Sequence, residues 1–187
     1  EFHVTSRCAD LGPPPPPGFC HNVIPSKFIN LDHGIHANTA SNLMTFTVEE
    51  SEFTNNVAGV YVRGVNAFQV QHSSFSVGGS HATILDNPEE WSWLSANRGT
   101  YSYQSQGFVL QHNTAQHSPT TPVGVKPEGF VTGWTGGSDD LVRWNDTYNL
   151  HVGFAGEGIC SDYTQVHGLV YRCNTTNGDG TGIKSRV

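Results

Sequence analysis

Ten histidines against nine lysines and arginines give this 187-residue chain of net charge −7 an unusual supply of imidazole. Two or three such rings converging on one point could hold a transition metal, because the neutral ring nitrogen is a good ligand. His72 and His112 share a column of an internal repeat, and His117 is the third candidate. A pair such as His33 and His36 would converge on a helix, but on a strand of period two its members point to opposite faces. Scattered histidines, with no metal and no cofactor, are therefore expected. A second chemistry comes from rings. Trp91, Trp93, Tyr101, Tyr103 and Trp134 lie among Asn, Gln and Ser, a mixture suited to a carbohydrate platform. The competing expectation is that these rings cover the sides or ends of the fold as satellite cores.

Four cysteines fall in two pairs, Cys8 with Cys20 and Cys160 with Cys173, which suits two local disulfides in an oxidising compartment. Four buried free thiols are the alternative. No Cys-x-x-Cys pair is present, which argues against zinc. The acidic balance argues against binding to nucleic acid or an anionic membrane. No apolar run approaches the length of a membrane-spanning helix. Apolar residues make up 36% and charged residues 13%, with 21 glycines, a composition for a β-rich protein with many turns. The chain opens Glu1-Phe2-His3-Val4 without an initiating Met, so a mature product or an excised fragment is expected.

The elements that must position these groups announce themselves through a phrase that returns five times. It reads Thr47-Val48-Glu49-Glu50-Ser51-Glu52, Gln69-Val70-Gln71-His72-Ser73-Ser74, Val109-Leu110-Gln111-His112-Asn113-Thr114, Leu141-Val142-Arg143-Trp144-Asn145-Asp146 and Val170-Tyr171-Arg172-Cys173-Asn174-Thr175. Successive shifts are 22, 40, 32 and 29 residues. Apolar residues alternate within each strand, as in Phe46/Val48 and Val60/Val62. A unit this short cannot bury its apolar face alone, but stacking coil on coil buries it. The expected fold is all-β: a right-handed parallel β-helix of about seven or eight coils, taking ~22–25 residues per coil. Phe46 should stack on Phe68, Val48 on Val70 and Phe53 on Phe75. Ser51, Ser73, Asn113, Asn145 and Asn174 should form a ladder at a corner. Glu50 shares its column with His72, His112, Trp144 and Cys173, so its burial would be unexpected.

Residues 1–24 read as a Pro-rich lead, stiffened by Pro13–Pro17 and closed by Cys8–Cys20, and residues 25–187 as the β-helix. Two stretches, 76–106 and 116–140, break the period with Gly and Pro clusters and are expected to bulge from it as loops. Asn145-Asp146-Thr147 and Asn174-Thr175-Thr176 fit the glycosylation sequon.

Three phrases look familiar: Glu52-Phe53-Thr54-Asn55-Asn56-Val57-Ala58-Gly59-Val60-Tyr61-Val62, Arg143 to Gly153, and Gly168-Leu169-Val170-Tyr171-Arg172-Cys173-Asn174-Thr175. They resemble a recurrent element of large secreted Bacteroidetes proteins, in which a right-handed parallel β-helix forms part of a long extracellular chain. The resemblance covers roughly residues 28–187. It implies an extracellular or cell-surface location and cargo of the type IX secretion system, and it carries no catalytic motif onto this chain. Separately, Gly137-Ser138-Asp139-Asp140, His167-Gly168 and Gly182-Ile183-Lys184 resemble, in order, the signatures of polygalacturonase-type glycoside hydrolases. That resemblance implies Asp139 and Asp140 as the acid and base pair, His167 beside them, and Lys184 on a substrate carboxylate. The family's upstream Asp motif and the Arg before its Lys are missing here. A Ca²⁺-dependent lyase is disfavoured because Glu49, Glu50 and Glu52 are not echoed one coil away.

The sequence thus points to a non-catalytic structural or adhesive segment of a secreted or surface protein. Its expected partners are an extracellular polysaccharide or other surface proteins, with self-association through the solenoid ends. A polysaccharide-degrading hydrolase is the alternative.

Overall fold

The computed structural model describes residues 2–5, 7–8, 23–39, 44–79, 97–121, 123–136, 139–160 and 167–186, with only the backbone of Arg7, Cys8, Val23 and Arg186. Among them the chain winds through six coils of three strands each, a right-handed parallel β-helix. The first coil comprises β1 (Phe2–Val4), a small antiparallel pair β2 (Arg7–Cys8) and β3 (Val23–Ile24), then β4 (Ser26–Ile29) and β5 (His33–Asn38). The second has β6 (Phe46–Glu49), β7 (Ser51–Asn56) and β8 (Ala58–Arg63). The third has β9 (Gln69–Gln71), β10 (Ser74–Val77) and β11 (Arg98–Tyr103), and the fourth β12 (Val109–Gln111), β13 (Thr114–His117) and β14 (Glu128–Gly133). The fifth has β15 (Asp140–Arg143), β16 (Asp146–Tyr148) and β17 (Val152–Glu157), and the sixth β18 (Leu169–Arg172), β19 (Thr175–Asn177) and β20 (Thr181–Arg186). The first strands of all coils make one six-stranded parallel sheet, the second strands another and the third strands a third.

Six coils rather than seven or eight is a correction with a simple cause. The offset of 22 residues holds only in the first and second sheets between the second and third coils, and elsewhere the coils are lengthened at their corners. The excursions are also shorter than the sequence suggested. β11 lies within 76–106 and β14 within 116–140, and each pairs with the coil before it. β1, inside the Pro-rich lead, pairs with β6. Pro13–Pro17 and Cys20 fall outside the described residues.

Vertical stacking holds where it was expected. Phe46 lies 5.2 Å from Phe68 with rings 10° apart, and Phe53 lies 4.8 Å from Phe75 at 7°. Val48 is in register with Val70. With Phe108, Phe130, Phe154 and Leu110, these rings and valines form one continuous buried core. Truncating one of the rings to Ala would cost about 3–5 kcal/mol, combining lost transfer energy with the cavity left behind.

The coils approach closely along a glycine column in the third sheet: Gly34, Gly59, Gly99, Gly129 and Gly153. A Cβ on any of them would come under 3.0 Å from the carbonyl oxygen of the next glycine in the column. The Ser/Asn ladder also forms, and it has a direction. The N–H of Ser51 donates to Ser73 Oγ (3.2 Å), Ser73 to Asn113 Oδ1 (3.0 Å), Asn113 to Asn145 Oδ1 (3.0 Å) and Asn145 to Asn174 Oδ1 (2.9 Å). The Asn145 and Asn174 amides also donate to Leu110 and Val142 carbonyls at 2.9 and 2.8 Å. Both sequon asparagines are therefore committed to the backbone.

Candidate functional site

The corner joining the first and second sheets is a single left-handed residue in coils two to six: Glu50, His72, His112, Trp144 and Cys173, with φ between 47° and 54°. L-residues pay roughly 1–2 kcal/mol for this conformation, and Gly or Asn would adopt it more cheaply. The next residue, Ser or Asn, turns inward and satisfies the bend. The corner residue itself must point outward, and all five are exposed. Glu50 is exposed as expected.

Stacked at the coil spacing, these side chains form a ridge. The His72 and His112 rings lie 4.9 Å apart and 4° from parallel, and His112 lies 4.9 Å from Trp144 at 22°. Trp144 is 42% exposed, with the Arg143 guanidinium 4.2 Å from its ring centre. Along one flank a polar row runs parallel to the rings. Gln71 donates to Glu49, Gln111 Nε2 to Gln71 Oε1 (2.6 Å) and Arg143 Nε to Gln111 Oε1 (2.9 Å). On the other flank an open depression of about 330 Å³ is lined by Pro25, Glu50, Ser51, Glu52, His72 and Ser74. Because the rings stack face to face, their edges point to solvent. The ridge thus offers ring nitrogens, amides and a guanidinium at a regular interval along a straight line.

The expected aromatic platform is dispersed. Tyr101 is a correction: it is 4% exposed and packs with Ala58, Tyr61, Val131, Val152 and Ala155 in a second buried cluster, on the outer face of the third sheet. Tyr103 is half-buried against it. Trp134 is exposed at another left-handed corner, with φ of 52°. Trp91 and Trp93 lie outside the described residues.

The Cys160–Cys173 bridge is corrected too: both thiols are free. Cys173 points outward at the ridge corner, whereas Cys160 follows β17 at a different corner and bonds the Glu157 carbonyl at 3.3 Å. Cys20 and the Cys8 side chain lie outside the described residues.

No three His, Cys, Asp or Glu side chains among the described residues are grouped to hold a metal ion. His33 and His36 do share a face, with ring centres 4.7 Å apart and both beside Tyr61, contrary to the simple alternation. The glycine between them breaks the period of two, so the first and fourth residues of these strands face the same way. Burial, helped by His36, lowers the His33 pKa to about 4.

Of the hydrolase-like residues, Asp139 and His167 are brought together on the surface, with Oδ1 and Nδ1 3.1 Å apart. Asp140 turns into the interior instead, fully buried, where it accepts the Gly107 N–H at 2.6 Å. Burial pushes its pKa up to about 6. Lys184 lies on β20 in the third sheet, whereas Asp139 and His167 flank the ends of first-sheet strands. The two aspartates thus face opposite sides of one sheet.

Sequence reasoning missed a cluster on the outer face of the third sheet. Arg98 Nε meets Glu128 Oε2 at 3.1 Å, its Nη2 lies 3.6 Å from Glu157 Oε1, and its guanidinium sits 4.2 Å over the Tyr101 ring. Arg98 and Glu128 are each 4% exposed. Their columns hold Ala58 and Val152, so no repeated letter marks them. The ridge column was visible in the alignment, but its backbone conformation was not. No family model, no curated protein and no solved structure matches the chain, and the likeness to the Bacteroidetes proteins rests on the quoted phrases alone.

Proposed function

We propose that this chain is a rigid, non-catalytic solenoid segment of a secreted or cell-surface protein, and that its ridge binds an extended polysaccharide. One observation carries the reading. His112 and Trp144 hold exposed rings in a backbone conformation that penalises them, at a corner where glycine would serve the fold better. Strain retained at an exposed position is a mark of a functional site. Ring edges beside Gln71, Gln111 and Arg143 supply apolar contact and hydrogen bonds together, the combination that sugars require.

The test is binding to a panel of neutral and acidic polysaccharides, including polygalacturonate and alginate. Binding by the wild-type protein that is lost in Trp144→Ala and His112→Ala is the expected result. Retention of binding in both variants would remove the ridge from consideration.

A hydrolase reading draws on the Asp139–His167 contact. Asp140 faces inward, so it does not stand as a second carboxylate beside Asp139. Release of reducing ends from any of these polymers, abolished in Asp139→Asn, would replace the binding reading with this one.

A further inference from the structure

The outer face of the first sheet changes character along the axis of the solenoid. Two outward rows cross its strands beside the ring ridge, and both alter between the second coil and the sixth. One reads Thr47, Gln69, Val109, Leu141 and Val170, from polar to apolar. The other reads Glu49, Gln71, Gln111, Arg143 and Arg172, from acidic to basic. Val170 is 45% exposed, and Arg172 is exposed beside it. Arg143 lies over Trp144 and donates its Nε to Gln111, which leaves its two terminal nitrogens for a ligand. Among the described residues no carboxylate pairs with either guanidinium. Asp139, on the same face, stands at the opposite end of β15 and is held by His167. Asp146 lies across the ridge on the second sheet, so the arginine flank is the one that favours an anion.

A chain of net charge −7 thus carries a strip that is basic along one row and apolar along the next. Resting on the reading of the ridge as a polysaccharide site, we propose that its ligand is an acidic polysaccharide, a polyuronate. The polymer lies over coils four to six, on the first-sheet flank, with its carboxylates on Arg143 and Arg172. A guanidinium is weakly hydrated and its planar fork matches a carboxylate with two parallel hydrogen bonds. Val109, Leu141, Val170 and the Trp144 ring receive the C–H faces of the sugars. At the second coil Glu49 and Glu50 repel the same polymer, so the ridge binds at one end and on one side.

Isothermal titration calorimetry against polygalacturonate and alginate, each beside its methyl ester, tests this, because esterification removes the charge and keeps the polymer backbone. The wild-type protein should bind each acid roughly tenfold or more tighter than its ester. Raised salt should weaken binding of the acid. Arg143→Gln and Arg172→Gln should each weaken it by roughly tenfold. Arg172→Gln should also keep the wild-type thermal midpoint, since that side chain is exposed. Lys126→Gln removes an equal charge from the exposed corner between the second and third sheets and should bind like the wild type. Equal affinity for acid and ester, lost in Trp144→Ala, overturns the assignment of charge and leaves the ridge as a polysaccharide site. Acid binding that survives the double variant Arg143→Gln/Arg172→Gln overturns it too. So does equal affinity for poly(U), whose charges are phosphates. No binding to any of the polymers overturns the ridge reading together with this assignment.

Discussion

Two outward-facing surfaces of this solenoid reverse the usual placement of side chains. At the corner between the first and second sheets, an indole and two imidazoles stand exposed, on a backbone that disfavours them. On the outer face of the third sheet, a guanidinium and a carboxylate are 4% exposed beside a buried tyrosine. Neither arrangement is explained by the stability of the coil, because a glycine corner and an apolar outer face would each cost less. The difference lies in what removal does. Exposed rings in a row can be deleted with little structural consequence, whereas a buried charge that loses its partner cannot be tolerated.

The largest expected effect falls on the third sheet. Arg98→Ala leaves Glu128 buried without its partner and should cost about 3–5 kcal/mol in urea unfolding. The double variant Arg98→Met/Glu128→Leu should recover most of that, because the pair itself contributes little net stability. If Arg98→Ala unfolds at the wild-type urea concentration, the contrast between the two surfaces is wrong.

On the ridge, Trp144→Gly relieves a left-handed penalty of roughly 1–2 kcal/mol. It gives up a cation–π contact of ~0.5–1 kcal/mol. It also loses the His112 stack, so the unfolding midpoint should hold near the wild-type value while the proposed polysaccharide binding disappears. A large loss of stability would show that the ridge holds the coil together.

A third effect falls in alkali. Burial raises the Tyr101 pKa from 10.0 to about 12, against the opposing pull of Arg98. A folded pKa above the unfolded one means that the stabilisation is complete below about 10 and drains away as pH climbs toward 12. Wild-type stability should fall across that window, and Tyr101→Phe should flatten the decline by its share. A variant curve that overlays the wild type would show that the phenol is not buried.

The stacking of Phe46 on Phe68 and Phe53 on Phe75 was readable in the sequence because their offset is constant and no excursion intervenes. The corner ladder was readable because only small polar side chains can bond the bend. The coil number was not, since three corners absorb chain without altering the apolar columns. Tyr101 looked like a surface ring because its excursion was drawn too wide, and the strand from Arg98 to Tyr103 obeys the fold although its neighbours carry different letters. For Arg98, Glu128 and Glu157, the contact depends on unlike residues meeting across coils, which a search for likeness passes over.

In coils two to six the bend that carries the rings is one left-handed residue plus one Ser or Asn, while the other two bends range from one residue to twenty. New sequence grafted into either long bend would widen two edges of the prism and leave the third a straight rail. The surface along that rail can therefore be rewritten, letter by letter, without resetting the pitch of the winding beneath it.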